Sequence, residues 1–273
     1  MLEIPFTKMQ GLGNNYLYIY MEEDQEYHWN HLAIAMSHPK FGIGSDGIVL
    51  IQPDHEVDCQ MRIFNADGSE AEICGTALRC VGRYLYEKKH QKKKIFRIRT
   101  KAGIRTVLLH LQEQNVQDVT VGLGIPNFTS YQFPFTVPPK PIEVEGWTGL
   151  GVSMGNPHFV IFTDDVDTID MGSEGYRLEY AREFPERSNI EWVQVKNEHS
   201  IKMRVWERGS QETFSCTSGA CASVAAGLQL GKLKSPVTIE LRGGFLKAYE
   251  KEEELWLTGP VEFICDGVYF WEE

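Results

Sequence analysis

No stretch of the 273-residue chain approaches the ~18 consecutive apolar residues of a membrane-spanning helix, so no membrane role is expected. The opening, MLEIPFTKMQGLGNN, lacks the basic, then apolar, then small order of an export signal, and a cytoplasmic location follows as an expectation. Positive charge is in deficit: 27 Lys and Arg stand against 38 Asp and Glu, a net −11, which argues against nucleic acid as a partner. The one basic run, KKHQKKK at 88–94, continues a helical pattern and reads as a solvated helix C-terminus. Cysteine is not abundant enough to stand out, with six residues at an ordinary density, and without an export signal these read as reduced thiols rather than a disulfide framework. No nucleotide-binding glycine loop and no persuasive metal cluster are read, so neither cofactor nor metal is expected.

What the chain does have is an internal repeat. MRIFNADGS begins at Met61 and MRVWERGS at Met203, an offset of 203 − 61 = 142. GNNYLYIY at Gly13 and GNPHFVIF at Gly155 repeat it (155 − 13 = 142), as do Cys74 and Cys216. KAGI at Lys101 faces RGGF at Arg242, one position closer. The length suits two domains of roughly 130–140 residues. The halves are read as 1–125, with the C-terminal tail able to pack back on it, and 151–273. Between them, 126–150 holds five prolines and reads as a connector.

Short β-branched and aromatic runs predict strands at 17–20, 47–51, 61–64, 96–100 and 105–109 in the first half. The second half offers 159–162, 190–195, 202–206, 237–241 and 255–258. Each half also carries one clear helix just after its repeat cysteine: TALRCVGRYLYEKK from Thr76, and GACASVAAGLQLGK ending near Gly231. The second is apolar nearly all round, which predicts enclosure on every side. The expected fold is α+β: two pseudo-symmetric domains, each a curved sheet or barrel around a central helix, with an active-site cleft between them.

The cysteines divide by position. Cys80 and Cys221 fall one and a half turns into their helices, among apolar or small neighbours, and read as core thiols. Cys74 and Cys216 stand at the helix N-termini, where the dipole and the free N–H groups favour a thiolate and cradle an anion. A zinc clip fits poorly, because its usual two to four intervening residues are exceeded by the gap of five and only just met by the gap of four, and no His is adjacent. Two such thiols, one on each face of a bound α-carbon, describe a two-base racemase or epimerase. The simpler reading, two capped core thiols, stays open at this point.

The segments KMQGLGNNY, GIGSDGIVLI, MRIFNADGSEAEICG, VSMGNPHFVIF, FPERSNIEWVQV, RVWERGS and SGACA, in that order, resemble the diaminopimelate epimerase family nearly end to end. The resemblance implies a cofactor-independent amino-acid isomerase, with Cys74 and Cys216 as the acid/base pair. The amides at Gly75, Thr76, Thr217 and Ser218 would hold the reacting carboxylate, and Asn14, Asn65, Asn156, Asn189 and Arg208 the far end of the substrate. Glu207 would bind substrate ammonium groups and, with His158, set the thiol pKa values. A homodimer is a family-level expectation. Taken singly, Asn14 and Asn156 are also ordinary turn residues, His158 a loop histidine, and Glu207 with Arg208 an exposed strand-end pair.

Two departures stand out. The family has Cys-Gly-Asn-Gly after the first cysteine and Cys-Gly-Thr-Gly after the second; this chain has Cys74-Gly75-Thr76-Ala77 and Cys216-Thr217-Ser218-Gly219. Thr217 would be strained if that position required positive φ. The implied reaction is LL-diaminopimelate to the meso form, for lysine and cell-wall synthesis. The rivals are a racemase for another amino acid and a non-catalytic amino-acid binder or thiol redox protein.

Overall fold

The computed structural model describes residues 2–22 and 27–272, which group into two compact units, 1–121 with 260–273 and 122–259. The first unit runs β1 (Leu2–Gly11), β2 (Asn14–Tyr20), α1 (Trp29–Ser37), β3 (Gly47–Gln52), β4 (Cys59–Asn65), β5 (Glu70–Ala71), α2 (Gly75–Glu87), β6 (Ile95–Thr100), β7 (Gly103–Gln112) and β8 (Asn115–Gly124). The second runs β9 (Ile142–Val144), β10 (Trp147–Ser153), β11 (Pro157–Phe162), α3 (Met171–Glu179), β12 (Asn189–Asn197), β13 (Ser200–Glu207), β14 (Gln211–Glu212), α4 (Thr217–Gln229), β15 (Val237–Leu241), β16 (Gly244–Lys251) and β17 (Glu254–Gly259). The chain then returns to the first unit as β18 (Glu262–Trp271), antiparallel to β1 from Leu2↔Trp271 to Gln10↔Glu262.

The two units share one topology. β2 pairs parallel with β3 across α1, as β11 does with β12 across α3. β4 pairs parallel with β6 across α2, as β13 does with β15 across α4. The helices keep the sequence offset: α1 and α3 begin at 29 and 171, and α2 and α4 at 75 and 217. Even an ion pair repeats, Arg62 to Glu70 at 2.8 Å and Arg204 to Glu212 at 2.8 Å.

Parallel pairing places helices on both faces of the central strands, which therefore carry unbroken apolar runs rather than alternation. All six residues of β3 are buried. On one face Leu17, Ile19, Ile48 and Leu50 pack with Leu32 and Met36 of α1. The equivalent layer in the second unit joins Phe159, Ile161, Ile190 and Trp192 to Met171 and Leu178 of α3. The other two helices are central: α2 buries eleven of its thirteen residues, and α4 is buried from Gly219 to Gly227. Enclosure of α4 is what its all-round apolar sequence required.

The sequence reading found α2 and α4 but not α1 and α3. Each of those is only nine residues long, and α1 has no side-chain cap and no acidic first turn. The prolines of 126–150 did not prevent β9 and the start of β10 from forming within that stretch.

Two glycines of α3 separate helix propensity from packing. A methyl on Gly175 would lie 2.4 Å from the Trp206 ring, whereas at exposed Gly172 the nearest atom is 3.7 Å away. Urea denaturation should show Gly172→Ala stabilising by about 0.5 kcal/mol, and Gly175→Ala destabilising by about 1–3 kcal/mol.

Candidate active site

Both central helices begin on a cysteine. Cys74 has extended backbone (φ −141°, ψ 117°) and its Sγ accepts the Ala77 N–H at 3.5 Å; Cys216 (φ −119°, ψ 114°) accepts the Gly219 N–H at 3.4 Å. This is N-cap geometry with sulfur in place of the usual oxygen. The helical ladders start one residue later, Leu78 N–H to Cys74 O at 3.0 Å and Ala220 N–H to Cys216 O at 2.9 Å. Gly75 and Thr76 in one helix, and Thr217 and Ser218 in the other, thus open the two helices at the positive end of the dipole. Thr217 lies in the right-handed helical turn and is absent from the positive-φ residues, so its side chain imposes no backbone strain.

In the first unit the Cys74 thiol lies 3.6 Å from Asn14 Oδ1. Asn14 leaves a two-residue hairpin turn in which Leu12 and Gly13 both have positive φ. Its amide nitrogen donates to Asp46 Oδ2 (3.1 Å), which also takes the Asn15 N–H (2.6 Å), and so the amide oxygen is turned to the thiol. Asn65 sits at the tip of the β4–β5 hairpin, donating from its backbone to Ser69 O (2.9 Å) and from its amide to Ser69 Oγ (3.1 Å).

In the second unit a hydrogen-bonded chain leads to Cys216. Glu191 Oε1 faces His158 Nδ1 at 2.7 Å, with both side chains fully buried. His158 Nε2 meets Asn156 Oδ1 at 3.1 Å; because an amide oxygen only accepts, the imidazole donates there. The Asn156 amide nitrogen then donates to Ser218 Oγ (3.3 Å), and Ser218 Oγ lies 3.5 Å from Cys216 Sγ. A hydroxyl in that position can donate to a thiolate and accept from a thiol. Asn189 ties Arg208 to the same strand ends, accepting the Arg208 N–H (3.0 Å) and donating to Pro157 O (2.7 Å). Arg208 Nη1 donates to Glu186 O (3.0 Å), and Glu207 Oε1 accepts from the Thr213 hydroxyl.

The Cys216 thiol is held well above the usual thiol pKa, first by burial and then by the charges of Glu207 and Glu191, against which Ser218 and the Gly219 N–H act in the opposite sense. The sequence reading expected the helix dipole to lower it; in the folded chain desolvation wins. Burial also raises the Glu191 carboxyl, opposed by His158. Cys80 and Cys59 are core thiols pushed up to about 12 by burial, and Cys221 is buried as well.

The structure therefore groups Asn14, Asn65, Cys74, Gly75 and Thr76 in the first unit, and Asn156, His158, Asn189, Glu207, Arg208, Cys216, Thr217 and Ser218 in the second. Sequence reasoning missed Asp46, Glu191 and Glu179. Glu191 had a signal: a lone carboxylate inside the apolar run that became β12, where both neighbours, Ile190 and Trp192, are fully buried. The expectation that no G-x-G-x-x-G stretch occurs is also corrected: Gly42, Gly44 and Gly47 have that spacing, in a segment that joins α1 to β3. A dinucleotide loop requires the opposite order, strand to helix. Among the described residues no group of three or more His, Cys, Asp or Glu is placed to hold a metal ion.

Solved structures with this architecture include an epimerase and a phenazine biosynthesis protein. A hydroxyproline epimerase from Agrobacterium vitis superposes with a TM-score of 0.70 at 11% identity, over 98% of this chain and 91% of that one. A PhzF-family phenazine biosynthesis protein from Bacillus anthracis gives 0.73 at 14% identity, over 99% and 100%. These likenesses establish the fold. In sequence, the diaminopimelate epimerase of Oceanobacillus iheyensis is 40% identical over the whole of both chains, and that of Bacillus cereus 41% identical over 98% of each. The family model described as diaminopimelate epimerase matches residues 6–129 and 150–264, covering both cysteine-capped helices, and the chain belongs to the diaminopimelate epimerase family.

Proposed function

We propose that the chain inverts the configuration of an amino-acid α-carbon without a cofactor, converting LL-diaminopimelate to the meso form, with Cys74 and Cys216 as acid and base. The observation that carries this reading is the matched pair of cysteine N-caps, one per unit, at the same step of one repeated topology. Each thiol stands beside helix amides suited to a carboxylate. In the reaction, a thiolate takes the α-proton from one face of the carbon and the opposite thiol returns a proton to the other face. The charge that develops on the substrate carboxylate is stabilised by the amides at Gly75, Thr76, Thr217 and Ser218.

Asn14, Asn65, Asn156, Asn189 and Arg208 are assigned to the far end of the substrate, where a guanidinium matches a carboxylate bidentately. Glu207 takes an ammonium group. Glu207 and His158 tune the Cys216 thiol, Glu207 by its charge and His158 through the Asn156–Ser218 chain. The departures after each cysteine are compatible with this chemistry. Thr76 and Thr217 lie in regular helix, and Ser218 keeps a hydroxyl beside the sulfur. A cytoplasmic homodimer completes the reading.

Incubating the reduced protein in D₂O with a panel of amino acids, and following deuterium at Cα together with optical purity, tests it. Diaminopimelate alone should exchange and invert. Exchange confined to another amino acid would reassign the substrate, and binding without exchange would make the protein a binder. Cys74→Ala and Cys216→Ala should each lower inversion by at least about 10³-fold, whereas Cys80→Ala and Cys221→Ala should act through stability.

The raised Cys216 pKa has its own consequence. Alkylation of Cys216 by iodoacetamide, read by peptide mass, should rise continuously toward alkaline pH. Ser218→Ala removes an interaction that lowers this pKa, so the titration should move to higher pH and the rate at fixed pH should fall about fivefold. An unchanged titration would detach Ser218 from the thiol.

A further inference from the structure

Glu179, the last residue of α3, is 2% exposed and is not part of the machinery assigned above. Its carboxylate is occupied at both oxygens. Oε2 accepts the Trp206 indole N–H at 2.7 Å, and Oε1 accepts the Gly209 N–H at 3.0 Å and an Arg187 guanidinium N–H at 3.2 Å. Trp206 is near the end of β13, and Gly209 is in the turn, at positive φ, that leads into β14. The two residues between them are Glu207 and Arg208. One buried carboxylate thus brackets the hairpin tip from both sides, and Gly175, a turn earlier in α3, lets the helix lie directly on the Trp206 ring.

The repeat shows that this bracket is specific to the second unit. Counting back 142 positions from Glu179 gives Ser37, likewise the last residue of α1. Ser37 instead accepts a hydrogen bond from the Ser45 hydroxyl at 3.0 Å, and α1 holds no carboxylate. The β4–β5 tip is turned by its own Asn65–Ser69 contacts. The hairpin that presents a guanidinium and a carboxylate is therefore the one with an added charged anchor beneath it. Burying a carboxylate is costly unless donors surround it, and three do.

We propose that Glu179 is a positioning residue that fixes Glu207 and Arg208 in their binding orientation and so sets the affinity for the far end of the substrate. This rests on the assignment of Arg208 to that end under the proposed function. The bracket requires two acceptor oxygens. Glutamine supplies one oxygen and one amide nitrogen, which cannot accept from either N–H. In Glu179→Gln, either the indole or the Gly209 N–H loses its partner, and the tip loosens.

The test uses the full chain with diaminopimelate as substrate. Glu179→Gln should raise KM about tenfold with kcat within about twofold of the parent. Limited trypsinolysis should cut after Arg208 about tenfold faster, while the cut after Lys101, in the β6–β7 turn of the other unit, stays constant. Adding Trp206→Phe removes the indole donor that the glutamine amide opposes. The double variant should then recover most of the KM loss although it is no more stable than either single variant, a rescue that a merely structural role would not give. If Glu179→Gln does not fold, Trp206→Phe alone removes one arm and should raise KM about threefold. Parental KM and parental cleavage after Arg208 in Glu179→Gln, or parental KM in Trp206→Phe if that variant stands alone, would overturn the proposal. Arg208→Met separates the two levels: a parental KM there refutes the far-end assignment, and the rate of cleavage after Arg208 in Glu179→Gln then decides the bracket by itself.

Discussion

Everything in the two half-sites depends on a sulfur atom serving as a helix N-cap. A cap needs an acceptor near the amide of the third residue along, and a cysteine in extended conformation supplies one in each unit. That geometry fixes the thiol beside the opening amides of the helix. It also ties the thiol to the core, because the rest of each helix is enclosed by strands. Each thiol is thus placed by the buried helix of its own unit, and fixed placement is what proton transfer requires.

The two caps are alike in backbone and unlike in surroundings. Cys74 is partly open and meets an amide oxygen that Asp46 orients. Cys216 is buried, with Glu191 behind it: a methyl on Gly219 would stand 2.5 Å from Glu191 Oε1 and 3.3 Å from Cys216 Sγ. The repeat therefore supplies the frame twice, and local substitutions give each thiol its own electrostatics. Ser218 follows the same logic. Its hydroxyl lies 3.5 Å from the Cys216 sulfur.

Much of the frame was legible in the amino-acid sequence. The offset of 142 between Cys74 and Cys216 correctly indicated two copies of one fold, and the buried strand runs and both central helices were readable from their apolar content. α1 and α3 were not, because nine residues give too short a period; α1 also lacks terminal signals, whereas the Asp170 cap, Glu174 and Arg177 of α3 were legible and were missed. The half-sites were legible where side chains come from the matched segments. They were illegible where a residue acts from another element, as Glu191 does on His158 and Glu179 on the turn after β13. The first of these contacts is set by parallel pairing, which brings β12 beside β11 in a register that sequence spacing does not reveal, and the second by the packing of α3 on the end of β13. The expected low thiol pKa at Cys216 failed for a related reason. A dipole can be inferred from a helix start, whereas the degree of burial there depends on the whole unit.

The central claim is that each thiol serves one face of the same α-carbon. It is tested most directly by following Cα–H exchange, without inversion, in the single-cysteine variants, using each stereoisomer of diaminopimelate separately in D₂O. Cys74→Ala should exchange the α-hydrogen of one configuration only, Cys216→Ala that of the opposite configuration only, and neither should invert. Exchange of both configurations by either variant would contradict the assignment of one thiol to each face.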